Sequence, residues 1–175
     1  MSKSGQRPSM PMDIIIRTAR PNDAEAIVDV HFAAVHGVPT TSYSPAVIDS
    51  WYGTIGTNDR IERKRYNIKK GEHTVVAIVE DHIVGFGSIV LEDEKLRALY
   101  VRPEFGKHGI GKAILTNLEQ FAVSVGLKQL HLDASLNAEA FYESHGYAVI
   151  EHGIHCFPSG GEIACARMIK KLVDV

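Results

Sequence analysis

The sequence predicts a mixed α/β domain, with a mostly antiparallel sheet of about seven strands and helices on both faces. Three observations predict it. Residues 73–101 read as three consecutive strands whose connections are too short for crossovers, so they must run antiparallel. Residues 95–134 read as strand, glycine-rich loop, long helix and strand, which is the pattern of a parallel, right-handed crossover unit. The chain has 175 residues, 45% hydrophobic and 23% charged, which suits one globular domain with one sizeable core.

The elements follow in order. Residues 1–12, "MSKSGQRPSMPM", are small, polar and proline-bearing, and read as a disordered N-terminal extension; the domain is expected over 13–175. "DIIIRTA" (13–19) is a first strand. Pro21 opens a helix with Asp23 and Glu25 in its first turn, where the helix dipole favours acids. Ala24, Ile27, Val28, Phe32 and Val35 give its apolar stripe, and Gly37 and Pro39 end it. "SPAVIDSWYGTI" (44–55) is a second helix, capped by Ser44 with Pro45 first. "RIERKRYNIKK" (60–70) is a basic stretch without interleaved aromatic platforms, read as a solvated helix face rather than a phosphate patch.

"HTVVAIVE" and "HIVGFGSIVLE" form a hairpin around Asp81, and "KLRALYV" (95–101) is the next strand, stopped by Pro103. The long helix begins near Gly109, carries Ile110, Ile114, Leu118, Phe121 and Val125 on one face, and closes at Gly126. A short strand (128–134), a short helix (137–146) and a hairpin (147–157 with 162–172) complete the order β-α-α-β-β-β-α-β-α-β-β.

Composition narrows the function. A net charge of −2 gives no reason to expect nucleic acid as partner. No apolar run is long enough for a bilayer, and the start lacks a secretory signal, so a cytoplasmic protein without membrane attachment is expected. No histidine or cysteine spacing suggests a metal site. Cys156 and Cys165 would lie nearly opposite each other if 158–161 is a turn; two reduced thiols are expected rather than a disulfide.

The stretch "EFGKHGIGKAIL" holds the chemistry. Gly106 to Lys112 fits G-x-x-x-x-G-K, but the next residue is Ala113, which has no hydroxyl for Mg²⁺, and three antiparallel strands precede the loop. A dinucleotide G-x-G-x-x-G fails because Ile114 takes the third glycine's place. Unpaired amides at a helix start, with the helix dipole behind them, bind phosphate, and glycines let a diphosphate approach.

"LRALYVRPEFGKHGIGKAIL" resembles the acetyl-CoA site of the GCN5-related N-acetyltransferases, and "LDASLNAEAFYESHGY" resembles that family's second signature. The element order also matches, so the resemblance covers residues 13 to about 172. It implies the GNAT fold and an enzyme that moves an acetyl group from acetyl-CoA to the amine of a small molecule or peptide through a ternary complex, as a monomer or homodimer. It further implies that the backbone of Leu99, Tyr100 and Val101 binds the pantetheine arm. The amides of Lys107, His108, Gly109, Ile110, Gly111 and Lys112 would hold the diphosphate, and Asn137 would contact the cofactor near its thiol. Tyr142 would protonate the departing thiolate. The family usually has Gln or Arg where this chain has Gly106.

The base is the open question. The family's usual glutamate position falls on Lys95, with Glu94 and Glu92 nearby but on the opposite strand face unless a bulge intervenes. Glu94 is one candidate, His36 another, and a water chain a third. His36, Tyr43, Trp51 and His155 are candidate walls of the acceptor pocket. The alternatives are a regulatory module that holds CoA without catalysis, suggested by Lys95, and a P-loop-like nucleotide-binding protein.

Overall fold

The computed structural model describes residues 11–157 and 160–173, so most of the expected N-terminal extension lies outside the described residues. Of its last two residues, Met12 packs against the main core. Strands β1 (Ile15–Thr18), β2 (His73–Val79), β3 (His82–Val90), β4 (Lys95–Val101), β5 (Gln129–Ser135), β6 (Ala148–Cys156) and β7 (Glu162–Lys171) form one sheet in the order β1-β2-β3-β4-β5-β7-β6. All neighbours are antiparallel except β4 and β5. The two-residue turn between β2 and β3 puts Glu80 at φ +48° and Asp81 at φ +65°, the left-handed pair that a tight hairpin needs.

The helices are α1 (Ala24–His36), α2 (Pro45–Tyr52), α3 (Thr57–Lys69), α4 (Ile110–Ser124) and α5 (Glu139–Ser144). The basic stretch is therefore a third helix before β2, where the predicted order had two. It has no buried residue, so it carries no apolar stripe that a periodicity argument could find.

One sheet face is covered by α4. Ile110, Ile114, Leu115, Leu118 and Ala122 are buried on it, whereas the expected Val125 is 47% exposed just beyond the helix end. Gly85 and Gly87 of β3 make room for this helix: a Cβ on Gly87 would stand 2.7 Å from Ile114 and 2.8 Å from Leu118. The other face is covered by α1, whose buried stripe is Ala24, Ile27, Val28, Val30 and Val35; the expected Phe32 is 50% exposed.

Tyr43, just before α2, fastens that layer to the sheet. Its hydroxyl donates to the Ala164 carbonyl at 2.6 Å and accepts from the Leu136 amide at 2.8 Å. The β6–β7 register sets Cys156 opposite Glu162 and Cys165 opposite Gly153, so the two cysteines are not cross-strand partners; both are free.

Candidate active site

The two strands of the parallel pair share one register position, Lys95 with His131, and then diverge. The rest of β4 keeps its pairing with β3 on one edge only. Arg102 donates to Val84 at 2.8 Å, and antiparallel alternation then directs the backbone of Tyr100 to Phe86. The N–H and C=O groups of Leu99 and Val101 consequently face the gap. Tyr100 thus contributes its ring to the site, and its main chain belongs to the sheet. A bulge in β4 falls between Leu96 and Ala98, downstream of Lys95, so it does not turn Glu94 inward.

Beyond Val101 the chain enters the glycine loop. Lys107 (φ +60°) and Gly109 (φ +82°) both occupy the left-handed region. A Cβ on Gly109 would meet nothing within 4 Å, so the space beside it is open. The amides of Lys107 through Lys112 donate to no backbone carbonyl among the described residues, as the first turn of a helix requires. Nδ1 of His108 donates to the Gly106 carbonyl at 2.7 Å and ties the loop.

Gly111 has a different reason: its Cβ would stand 3.3 Å from the Phe141 ring, so it lets α5 close on the start of α4. Gly106 has φ −62°, which any residue adopts. Open space, unpaired amides and exposed Lys107 and Lys112 fit an anionic diphosphate.

On the other side of the gap lies a cavity of about 620 Å³ between α1, α2 and α3 and the strands facing them. Tyr142 of α5 lines it, and its hydroxyl has no hydrogen-bond partner among the described residues. Burial pushes that phenol well above its ordinary value, with a smaller contribution from Tyr100, so it keeps its proton at neutral pH. Tyr100 is pushed up to about 12 by burial, against a smaller pull from the neighbouring Trp51.

Lys95, Asp133 and His155 also line the cavity. Nδ1 of His155 donates to Oδ2 of Asp133 at 2.8 Å, and Nζ of Lys95 donates to the same oxygen at 3.0 Å. Burial pushes the Asp133 carboxyl up, but the hydrogen bonds from His155 and Lys95 outweigh it and hold the group below the usual carboxylate range. The ring of His155 is thereby oriented. In its neutral form Nδ1 carries the proton and Nε2 keeps its lone pair.

The other expected site residues are dispersed. Trp51 lines the cavity, packed edge-on against Tyr43, whose own ring is core. His36 does not line the cavity: it is exposed, donates Nδ1 to the Phe32 carbonyl at 2.8 Å and stacks on the Phe32 ring. Glu94 does not line it either, since it sits in the turn before β4 at φ +50° and accepts from Gln129 at 2.9 Å. Asn137 is exposed in the turn before α5 and forms no side-chain cap on that helix.

His31 and Asp133 escaped the sequence reading. His31 falls on the buried stripe of α1, three residues past Val28 and four before Val35, and lines the cavity beside the Tyr100 ring at 4.7 Å. Burial, then the charges of Arg60, Lys64 and His36, lower it to about 4. The spacing held that signal. Asp133 had none, because its partners stand 38 and 22 residues away.

The sequence matches the model of the acetyltransferase (GNAT) domain over residues 39–156, more than half of the chain. No curated protein matches it significantly in sequence. Among solved structures it is similar to a GCN5-related N-acetyltransferase from Rhodopseudomonas palustris, at 25% identity over 94% of this chain and 100% of that one, with a TM-score of 0.81. It shares its fold with the PaiA N-acetyltransferase of Thermoplasma acidophilum in complex with coenzyme A, at 22% identity over 91% and 99% of the two chains and a TM-score of 0.68. It also shares it with a phosphinothricin acetyltransferase from Sinorhizobium meliloti in complex with AcCoA, at 19% identity over 92% and 89% and a TM-score of 0.71.

Proposed function

Because the chain belongs to the GNAT acetyltransferase family, we propose that it is an N-acetyltransferase that uses acetyl-CoA and acetylates the amine of a small molecule directly, in a ternary complex. The observation that carries this reading is the continuity of the site. An open amide cradle at the start of α4, the free edge of β4 and a walled cavity bearing Tyr142 and His155 adjoin one another.

Acetyl-CoA, when bound, supplies an activated acyl group as a thioester. The amides of Lys107 to Lys112 hold its diphosphate, with Lys107 and Lys112 adding charge. The free main-chain groups of Leu99 and Val101 bind the arm along β4, and a β4 N–H is the donor toward developing negative charge on the acyl oxygen. Asn137 stands in the turn beside them as a further polar contact.

Tyr142 holds a proton at its hydroxyl oxygen for a leaving group. His155, oriented by Asp133, accepts the proton that the acceptor's ammonium must lose before its nitrogen can attack, an alkylammonium having an ordinary pKa of about 10. Asp133 sets a carboxylate 3.0 Å from Lys95, the lysine that stands where the family usually carries its acid. This favours catalysis over a module that only holds the cofactor.

A thermal-unfolding titration tests the reading. CoA at about a hundred times its Kd adds about 2.7 kcal/mol to stability, a shift of several degrees in Tm. Mg-ATP at the same concentration should shift it less; the reverse ranking would support the nucleotide-binding alternative instead.

A further inference from the structure

The cavity is far from neutral. Arg60, Arg63, Lys64, Lys95 and Arg97 line it, against Asp93 and Asp133. Neutralisation is incomplete. Lys64 and Arg97 share one carboxylate, Glu72, at 2.6 and 3.3 Å. Among the described residues the Arg60 side chain donates only to the carbonyls of Tyr52 and Ile55, and it stacks over the Tyr52 ring. The side chain of Arg63 has no hydrogen bond or ion pair among the described residues, and neither has the side chain of Asn67, one turn further along α3, whose backbone carbonyl accepts from the Glu72 amide at 3.0 Å; both residues line the cavity.

A second observation is independent of these charges. Ser88 of β3 lines the same cavity, is fully buried, and its hydroxyl has no hydrogen-bond partner among the described residues. A buried hydroxyl left unpaired costs about 1–3 kcal/mol, so a ligand that satisfies it is favoured. The positive field also acts on His31, which burial, Arg60 and Lys64 keep neutral.

Resting on the acetyl-transfer reading above, we propose that the acceptor is an amine that also carries an acidic group, a carboxylate or a phosphonate. Arg63 and Asn67 bind the acid from α3, Ser88 bonds a polar atom of the acceptor from the cavity floor, and the amine is directed to the Asp133–His155 wall. Arg63 is the specificity residue, since its guanidinium is uncommitted and suits two-point recognition of such an anion.

The test compares matched acceptors with acetyl-CoA saturating: the standard α-amino acids and some α-aminophosphonates, each against the primary amine lacking the acid. The proposal expects kcat/KM at least about tenfold higher for acid-bearing members, as one charge-assisted hydrogen bond would give. Arg63→Gln should raise their KM about tenfold, leave kcat and the KM for acetyl-CoA within about twofold, and remove the preference. Calorimetry on the CoA-loaded protein gives a readout without turnover: N-acetyl amino acids should bind more tightly than matching N-alkylacetamides, and Arg63→Gln should erase the difference.

Equal or better turnover of the plain amines, or an Arg63→Gln protein with unchanged KM values, would overturn the proposal while leaving N-acetylation standing. Absence of turnover with every amine, from a protein that binds CoA, would overturn the underlying reading as well.

Discussion

His155 and Asp133 stand on strands separated by β7, yet their side chains meet at 2.8 Å on the cavity wall. The Cys165 thiol of the intervening strand is pushed up by burial and then by the Asp133 charge. The contact predicts a shared role. His155→Ala should lower kcat about 10²- to 10⁴-fold, the range of a lost general base. Asp133→Asn should lower it as well, and the double variant should lose much less than the product of the two effects. Initial rates with saturating acetyl-CoA check this; full multiplicativity would show that the residues act separately.

Tyr142→Phe should reduce kcat by about tenfold or more while the KM for acetyl-CoA changes by less than about twofold. Since burial raises the phenol above its ordinary value, the wild-type rate should show no loss from Tyr142 ionisation across neutral pH. A Phe variant with full kcat would leave the hydroxyl as a cavity wall only.

His31 makes stability depend on acid. Its native value is lowered to about 4 from an ordinary 6.5, chiefly by burial and then by Arg60, Lys64 and His36. Between those two values the unfolded chain binds a proton that the native state refuses. Stability attributable to this group is complete above pH 6.5 and falls as pH drops toward 4, by about 1.4 kcal/mol per pH unit. Urea unfolding at pH 7 and pH 5 should show a smaller loss for His31→Phe, which keeps the ring contacts with Tyr52 and Tyr100, than for the wild type. Equal losses would contradict a neutral buried His31.

Gly109→Ala tests the cradle. At φ +82° a Cβ costs about 1–2 kcal/mol, although nothing surrounds it. The variant should unfold at lower denaturant concentration and bind CoA more weakly. Gly106→Ala, at φ −62°, should leave CoA binding nearly unchanged.

Much of this was legible in the chain. Turn lengths and the strand–loop–helix unit fixed the sheet, because hairpin geometry and crossover length are local properties. Strand β4 occupies the predicted residues, and the loop amides are unpaired as the glycines suggested. Helix α3 is absent from the predicted order because a polar helix with no buried residue leaves no periodic trace. The sequence offers Glu94, His36 or a water chain as the base; the β5-β7-β6 order brings Asp133 and His155 together beside Lys95 from far along the chain, a proximity with no local signature. On α1 the stripe of Ile27, Val28 and Val35 places His31 inward, whereas His36 faces solvent.

The central claim is that this site transfers acetyl to an amine. Its most direct measurement is amine-dependent thiol release from acetyl-CoA, followed together with the mass of the acceptor. One acetylated amine should appear for each thiol released, and neither should form without the amine. Thiol release that is indifferent to every amine, or no release from a protein that binds acetyl-CoA, would contradict it.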